Sequence, residues 1–266
     1  MRPELFTIVG ATFYAYRTLL ATSFVVCTLL AVRESRKRPG GIELSPAIGI
    51  WAMLGSLLGA RIFFVLQYGE PSELWRALLV WEGGLVFYGG LIGGLAAAAI
   101  HLALRGTPFL NAADSVAPYL ALGEAITRVG CFLNGCCWGT MCTWPWAVTF
   151  PPHSPAFSQQ VHDGLLSPEA SHALPVHPTQ LYMTCGLVLV CLVLKGVLVR
   201  RPPAGVVFFG YLLLYGLLRF LVELVRGDSA HSVGGITVSG AVSLTLLLFG
   251  AVACIYAARK PGSQQT

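Results

Sequence analysis

Seven charged side chains stand where charge is expensive. Arg17, Arg61, Arg128 and Arg219, with Glu124, Glu223 and Asp114, fall inside long stretches that are otherwise apolar. A charge at mid-bilayer depth costs ~2.5–3.5 kcal/mol even on the lenient insertion scale, so such residues are normally paired or functional. Glu124 precedes Arg128 by one helical turn, as Arg219 does Glu223, a spacing that favours contact. For either couple a purely structural ion pair and a functional one weigh about equally. Number tips the balance, because four arginines against fewer anions leave positive charge facing the interior. That surplus suits an anionic ligand reached from the bilayer, and lipid phosphate is the commonest one. Arginine clamps phosphate through a planar fork and stays charged at any relevant pH.

Cysteines form the second reactive group. Cys131, Cys136, Cys137 and Cys142 crowd into twelve residues just after Arg128, whereas Cys27, Cys185, Cys191 and Cys254 lie in apolar stretches as small buried hydrophobes. For the cluster, disulfides rank first, for example from Cys131 or Cys137 to Cys142, and free thiols second. A metal site with His153, His162 or His172 ranks a distant third, since the spacing fits no standard zinc finger. A free Cys136 beside Arg128 is a candidate base or covalent carrier, because nearby positive charge lowers a thiol's pKa. Glycines are the third feature: Gly83, Gly84, Gly89, Gly90, Gly93 and Gly94 surround Phe87-Tyr88. The run lacks the Gly-Lys-Ser/Thr end of a phosphate loop. Gly89/Gly93, Gly90/Gly94 and Gly55/Gly59 are small-xxx-small pairs suited to close helix packing. Around the aromatic pair, flexible backbone lining a polar cavity is equally compatible.

The elements that must hold these residues follow from composition. Only 11% of the 266 residues are charged, 55% are hydrophobic and mean hydropathy is +0.70. A soluble domain is about 25% charged. The balance excludes a soluble enzyme, a disordered chain and a single-anchor protein, and favours a bundle of helices over a barrel of alternating strands. Seven stretches approach the ~20 residues that cross hydrocarbon: Thr12–Val32, Leu44–Gln67, Leu85–Leu104, Phe109–Leu133, Val176–Leu194, Ala204–Val225 and Gly235–Ala258. Arg33, Arg36, Lys37, Arg38, Arg105, Lys195, Arg200, Arg201, Arg259 and Lys260 fall on one side of these spans, Arg2, Arg76 and Arg226 on the other. Basic loops stay cytoplasmic, which predicts an external N-terminus and a cytoplasmic C-terminus. The first span is an anchor rather than a signal peptide, because its basic cluster follows the apolar run. Residues 139–175 form the one long extramembrane piece, an external lid or binding arm unless disordered. The expected fold is an all-α polytopic membrane protein forming a single domain over residues 1–266.

In order along the chain, several segments resemble the bacterial phosphatidylglycerol–prolipoprotein diacylglyceryl transferases. They are the Gly83–Gly94 run, Ala117-Pro118 leading to Arg128-Val-Gly-Cys131-Phe-Leu-Asn134-Gly135-Cys136-Cys137-Trp138-Gly139, His177-Pro-Thr-Gln180-Leu-Tyr182, and Tyr215-Gly-Leu-Leu-Arg219-Phe-Leu-Val-Glu223 followed by Arg226-Gly-Asp228. Tyr16 and Gly59-Ala-Arg61 match less specific elements. The resemblance implies transfer of the diacylglyceryl group of phosphatidylglycerol to the lipobox cysteine of a prolipoprotein. A thioether forms, glycerol phosphate leaves, and no cofactor, metal or nucleic acid takes part. It implies a multi-pass protein of the bacterial inner membrane. Arg128 would bind the headgroup with Asn134, Gly135, Tyr215 and Arg61, while Arg219, Glu223, Tyr16 and Tyr88 would be catalytic.

The chain also departs from that pattern. Tyr88 stands where the family usually has a histidine, the favoured base, and a tyrosine of pKa near 10 is a poor base at neutral pH. Cys131 replaces the usual asparagine and Cys136 the usual glutamate; Met183 and Arg17 are further departures. Three readings follow: a divergent transferase in which Glu223 or Tyr88 takes the proton, a transferase of another lipid or acceptor, or a lipid-binding bundle without the chemistry. The first is favoured because both arginines and Glu223 survive. A lipid transporter would show paired repeats with broken helices, and a redox protein a Cys-x-x-Cys motif.

Overall fold

The computed structural model describes residues 4–8, 11–37, 42–69, 75, 79, 84–227 and 237–259. A two-stranded antiparallel hairpin, β1 (Glu4–Ile8) and β2 (Ala11–Tyr14), precedes eight helices: α1 (Ala15–Arg36), α2 (Ala47–Tyr68), α3 (Phe87–Leu104), α4 (Phe109–Asn134), α5 (Pro155–His162), α6 (Thr179–Val199), α7 (Val206–Glu223) and α8 (Val238–Arg259). All but α5 are long and apolar enough to cross a membrane. At most 39% of the apolar stretch of any of them is buried within the protein, which leaves most of that surface for lipid. The seven expected spans are therefore present.

Several ends differ from the sequence expectation by a few residues, and two of the differences have a clear cause. The first span starts at Ala15 rather than Thr12, because Ala11–Tyr14 pairs with β1; Thr and aromatic residues favour that extended backbone. The sixth helix starts at Thr179 rather than Val176, because Val176 exchanges backbone hydrogen bonds of 3.1 Å with Val148.

The chain divides into two compact units, residues 28–115 and residues 1–27 with 116–266. In the first, α2 and α3 meet along glycines. A methyl group on Gly93 would strike the carbonyl oxygen of Gly55, one on Gly59 that of Gly89, and one on Gly55 would come within 2.5 Å of the Gly93 oxygen. Gly89, Gly93, Gly55 and Gly59 thus serve close packing rather than a cavity lining, while Gly83 lies outside the described residues. Arg61 is buried here with its guanidinium 5.5 Å from the Phe64 ring centroid, and Tyr88 is 53% exposed beside Phe87.

In the second unit, α6 presents Met183, Leu187, Val190, Cys191, Leu194 and Leu198 on one face, at helical spacing. That face packs with Ala117, Ala121 and Ala125 of α4 and Val207 and Val222 of α7. Alanines one turn apart let α4 approach closely, and Thr184 Oγ1 adds a 3.5 Å hydrogen bond to the Ala125 carbonyl. Residues 139–175 are folded: Trp138, Phe150, Ala156, Phe157, Ala173 and Val176 make a small core, and α5 is capped by Ser154, whose hydroxyl accepts from the Phe157 amide at 3.2 Å.

The α2–α3 seam makes a direct prediction. Gly93→Ala should destabilise the detergent-solubilised protein by about 1–3 kcal/mol, since neither backbone can yield. Gly196→Ala, where a methyl meets nothing within 4 Å, should be neutral or slightly stabilising. Thermal unfolding of the two variants checks this, and equal shifts would contradict the packing role.

Candidate active site

The site grows from the turn that ends α4. Gly135 has a φ of +74°, and a side chain there would lie 3.1 Å from Phe150 and 3.2 Å from Ser154, so only glycine fits. Cys137 takes a φ of +62° despite its side chain. Such a conformation costs of order 1–3 kcal/mol and persists only where surrounding structure enforces it. The enforcing bonds come from the start of α6: the Thr179 hydroxyl donates to the Cys137 carbonyl at 2.6 Å, and the Gln180 amide to the Cys136 carbonyl at 2.7 Å. Just beyond, Gly139 N donates to His177 O at 2.9 Å, His177 N to Thr140 O at 3.0 Å, Thr140 N to Val225 O at 2.9 Å and Gly227 N to Trp138 O at 3.1 Å. The ends of α4 and α7 and the start of α6 are thereby tied together.

Both expected ion pairs form beneath this knot. Glu124 Oε1 accepts from Arg128 Nη2 at 2.7 Å, from Arg128 Nε at 3.2 Å and from the Tyr215 hydroxyl at 3.4 Å. Arg219 donates to Glu223 Oε2, and Thr237 Oγ1 donates to Glu223 Oε1 at 2.6 Å while accepting from the Gly240 amide at 3.0 Å. Tyr215 lies within electrostatic reach of Glu124, Arg128 and Arg219, linking the two pairs, with Tyr211 packed on it at 5.6 Å between ring centroids. Tyr16 lies among Cys131, Cys136, Cys137 and Arg128, because Gly130 lets the backbone of α1 approach α4: a methyl on Gly130 would lie 3.1 Å from the Tyr16 Cα.

A narrow cleft opens beside Arg128, lined by Cys137, Thr179, Gln180, Met183, Val222 and Arg226. Gln180 Oε1 is buried and has no hydrogen-bond partner, the one such side-chain atom among the described residues. The Cys136 carbonyl fixes the orientation of the amide, since a flip would set oxygen against oxygen. A buried acceptor left without a donor costs about 1–3 kcal/mol.

All eight cysteines are free in the structure. The Cys142 sulfur accepts from the Trp144 amide at 3.4 Å and lines a separate open cavity of about 560 Å³ in residues 141–177. Cys131, Cys136 and Cys137 gather with their sulfur atoms within 4.8 Å of one another, and Asn134 stands against Cys136. The Cys137 thiol is held well below the ordinary thiol range, first by hydrogen bonds from Cys131 and Cys136, then by the charges of Arg226 and Arg128. His177 is structural: its ring meets the Tyr182 hydroxyl at 3.1 Å, and that hydroxyl also accepts from Trp146 Nε1 at 2.7 Å.

Arg128, Glu124, Tyr215, Arg219, Glu223, Tyr16, Asn134, Gly135 and all four clustered cysteines thus belong to one unit. Arg61 and Tyr88 belong to the other, and Arg17 sits over Tyr14 at 5.5 Å from its ring centroid. Sequence reasoning gave no site role to Tyr211, Arg226 and Thr237 and quoted Gln180 only within a motif. Arg226, counted there among loop charges, had the one available signal, its place just after the Arg219–Glu223 pair.

Seven long apolar helices and two ion-paired arginines, Arg128 half-buried and Arg219 buried, define a polytopic membrane protein. The family model described as prolipoprotein diacylglyceryl transferase matches residues 3–256. The chain is 33% identical to the phosphatidylglycerol–prolipoprotein diacylglyceryl transferase of Mannheimia succiniciproducens, over 97% of this chain and 93% of the relative. It is 33% identical to that of Methylococcus capsulatus over 88% of each chain, and 28% identical to that of Clostridium tetani over 94% of this chain and 95% of the relative. The chain belongs to the prolipoprotein diacylglyceryl transferase family.

The lowered thiol has a measurable consequence. In reduced protein, iodoacetamide labelling of Cys137 should rise less steeply between pH 6 and 8 than that of an ordinary thiol of pKa near 8.5, which gains roughly tenfold per pH unit in that range. Mass spectrometry of the labelled peptide reads this, and a tenfold rise per unit at Cys137 would refute it.

Proposed function

We propose that the chain transfers the diacylglyceryl group of phosphatidylglycerol to the lipobox cysteine thiol of prolipoproteins, releasing glycerol phosphate. The observation that carries this reading is the network in which Tyr215 joins the Arg128–Glu124 pair to the Arg219–Glu223 pair. Glu124 occupies Nε and Nη2 of Arg128 and leaves Nη1 for a phosphate oxygen. Gln180 Oε1 then accepts from a hydroxyl of the headgroup glycerol. A phosphodiester leaves more easily when its growing charge meets fixed cations, and Arg128, Arg219 and Arg226 supply them.

Glu223, held by Arg219 and Thr237, is the candidate base for the acceptor thiol, with Tyr16 and Tyr215 as polar neighbours of the reacting groups. Asn134 and Gly135 shape the turn. Arg61 acts on the lipid, and Tyr88 substitutes for the family's histidine. The two units work as a single transferase domain in the bacterial inner membrane, N-terminus external and C-terminus cytoplasmic, with the folded arm at 139–175 on the external side. Exposed Trp144 and Trp146 on that arm suit the membrane interface.

Complementation of a transferase-depleted bacterium tests this, with mass spectrometry of a reporter lipoprotein. The diacylglyceryl adduct should appear with the parent chain. Arg128→Ala and Arg219→Ala should each lower the adduct rate by about 10²–10³-fold, the usual loss for one donor to a developing oxyanion. Arg128→Lys keeps the charge without the fork and should retain more, and Tyr88→Phe separates the tyrosine hydroxyl from Glu223. Failure of well-expressed parent protein to form the adduct would leave lipid binding without chemistry.

A further inference from the structure

The transfer reaction leaves three cysteines without a role. Cys131, Cys136 and Cys137 come from the last turn of α4 and the turn after it, and their sulfur atoms lie within 4.8 Å of one another. Zinc–thiolate bonds of ~2.3 Å put the sulfurs of a tetrahedral site roughly 3.8 Å apart, so small side-chain rotations suffice for three-point ligation. The cradle is built rather than incidental. Cys131 is buried, and the Cys136 and Cys137 carbonyls are each fixed by a side chain of α6. Cys137 is turned back toward the other two by a φ of +62°.

We propose that these three thiolates bind one thiophilic d10 cation, Zn2+, and leave its fourth position open to a sulfur ligand. No fourth protein ligand joins the group among the described residues: the Cys142 sulfur is engaged by the Trp144 amide and the His177 ring by Tyr182. Three protein ligands with one open position is the arrangement of catalytic rather than structural zinc. Cys136 and Cys137 are only half-buried, so the position is reached from their exposed side, with Arg128 and Arg226 close to Cys137. Those two arginines offset the negative charge of three thiolates around a divalent ion.

Identifying the fourth ligand rests on the transferase reading: it is the acceptor cysteine. A thiol that coordinates zinc loses its proton, here to Glu223, the base of the proposed reaction. The sulfur lone pair then forms the bond to the glyceryl carbon, the carbon–oxygen bond to phosphate breaks, and glycerol phosphate leaves with that electron pair. No oxidant or reductant is needed. The site does the work that a histidine base does in the family pattern, where this chain has Tyr88.

The test uses full-length protein in nanodiscs, reduced with a phosphine, and Cd2+ as the optical probe. Cd2+ should give a sulfur-to-metal charge-transfer band that saturates at one ion per chain, and Zn2+ should bleach it. Each of Cys131→Ser, Cys136→Ser and Cys137→Ser should lose one thiolate's share of the band, whereas Cys185→Ser should lose none. No saturable band, or one unchanged in the three variants, overturns the site, as does a disulfide among these cysteines in protein thiol-blocked inside intact cells. A lipobox peptide should raise the band by one further thiolate and its Cys→Ser analogue should not; no rise overturns the fourth-ligand assignment. None of these readouts needs turnover, so failure here is distinguishable from failure of the complementation assay.

Discussion

Three segments of backbone meet at Gly139, and the arrangement of the site depends on that meeting. Its amide donates to His177 O, and Thr140, next along, reaches Val225 O. A methyl group on Gly139 would lie 2.5 Å from the His177 Cβ and 2.6 Å from the Val225 carbonyl, so no larger residue allows the approach. Lateral packing of apolar helices in lipid gains little from hydrophobic burial, because the solvent is as apolar as the side chains. Backbone hydrogen bonds at the helix ends therefore carry much of the specificity. They fix the height of α4 against α6 and α7, and with it the height of Arg128 against Arg219 and Glu223.

Each arginine is matched to a glutamate one turn away, which lowers the cost of a charge at that depth. The two glutamates are held differently. Glu124 offers one oxygen to Arg128 and Tyr215, while Glu223 is held through both oxygens, by Arg219 and by Thr237 at the start of α8. The first arrangement leaves part of the guanidinium for an anion. The second fixes a carboxylate in a defined orientation, as a proton acceptor requires. Tyr215 lies between the pairs, so charge entering at one is felt at the other.

The departures from the family pattern are not scattered. By the resemblance, Cys131 and Cys136 stand where the usual motif has an asparagine and a glutamate, and both lie at the end of α4 beside Cys137. Cys137 completes the group through a strained backbone that α6 enforces. The lost histidine, at Tyr88, falls in the other unit. A transferase that takes its acceptor sulfur at the thiol cluster has less need of a base at Tyr88.

The sequence by itself determined the membrane, the seven helices and the two ion pairs. These follow from local rules: length against bilayer thickness, the expense of charge in hydrocarbon, and the spacing of one helical turn. Helix ends were less legible, because Ala11–Tyr14 and Val176 take their conformation from partners distant in the chain. Only the tertiary structure decided that Cys142 turns away from the other three cysteines, that Gln180 buries an acceptor beside Arg128, and that Thr237 reaches Glu223. Each joins residues from different elements, and the distance between them is set by backbone contacts such as those at Gly139, which leave no periodicity to read.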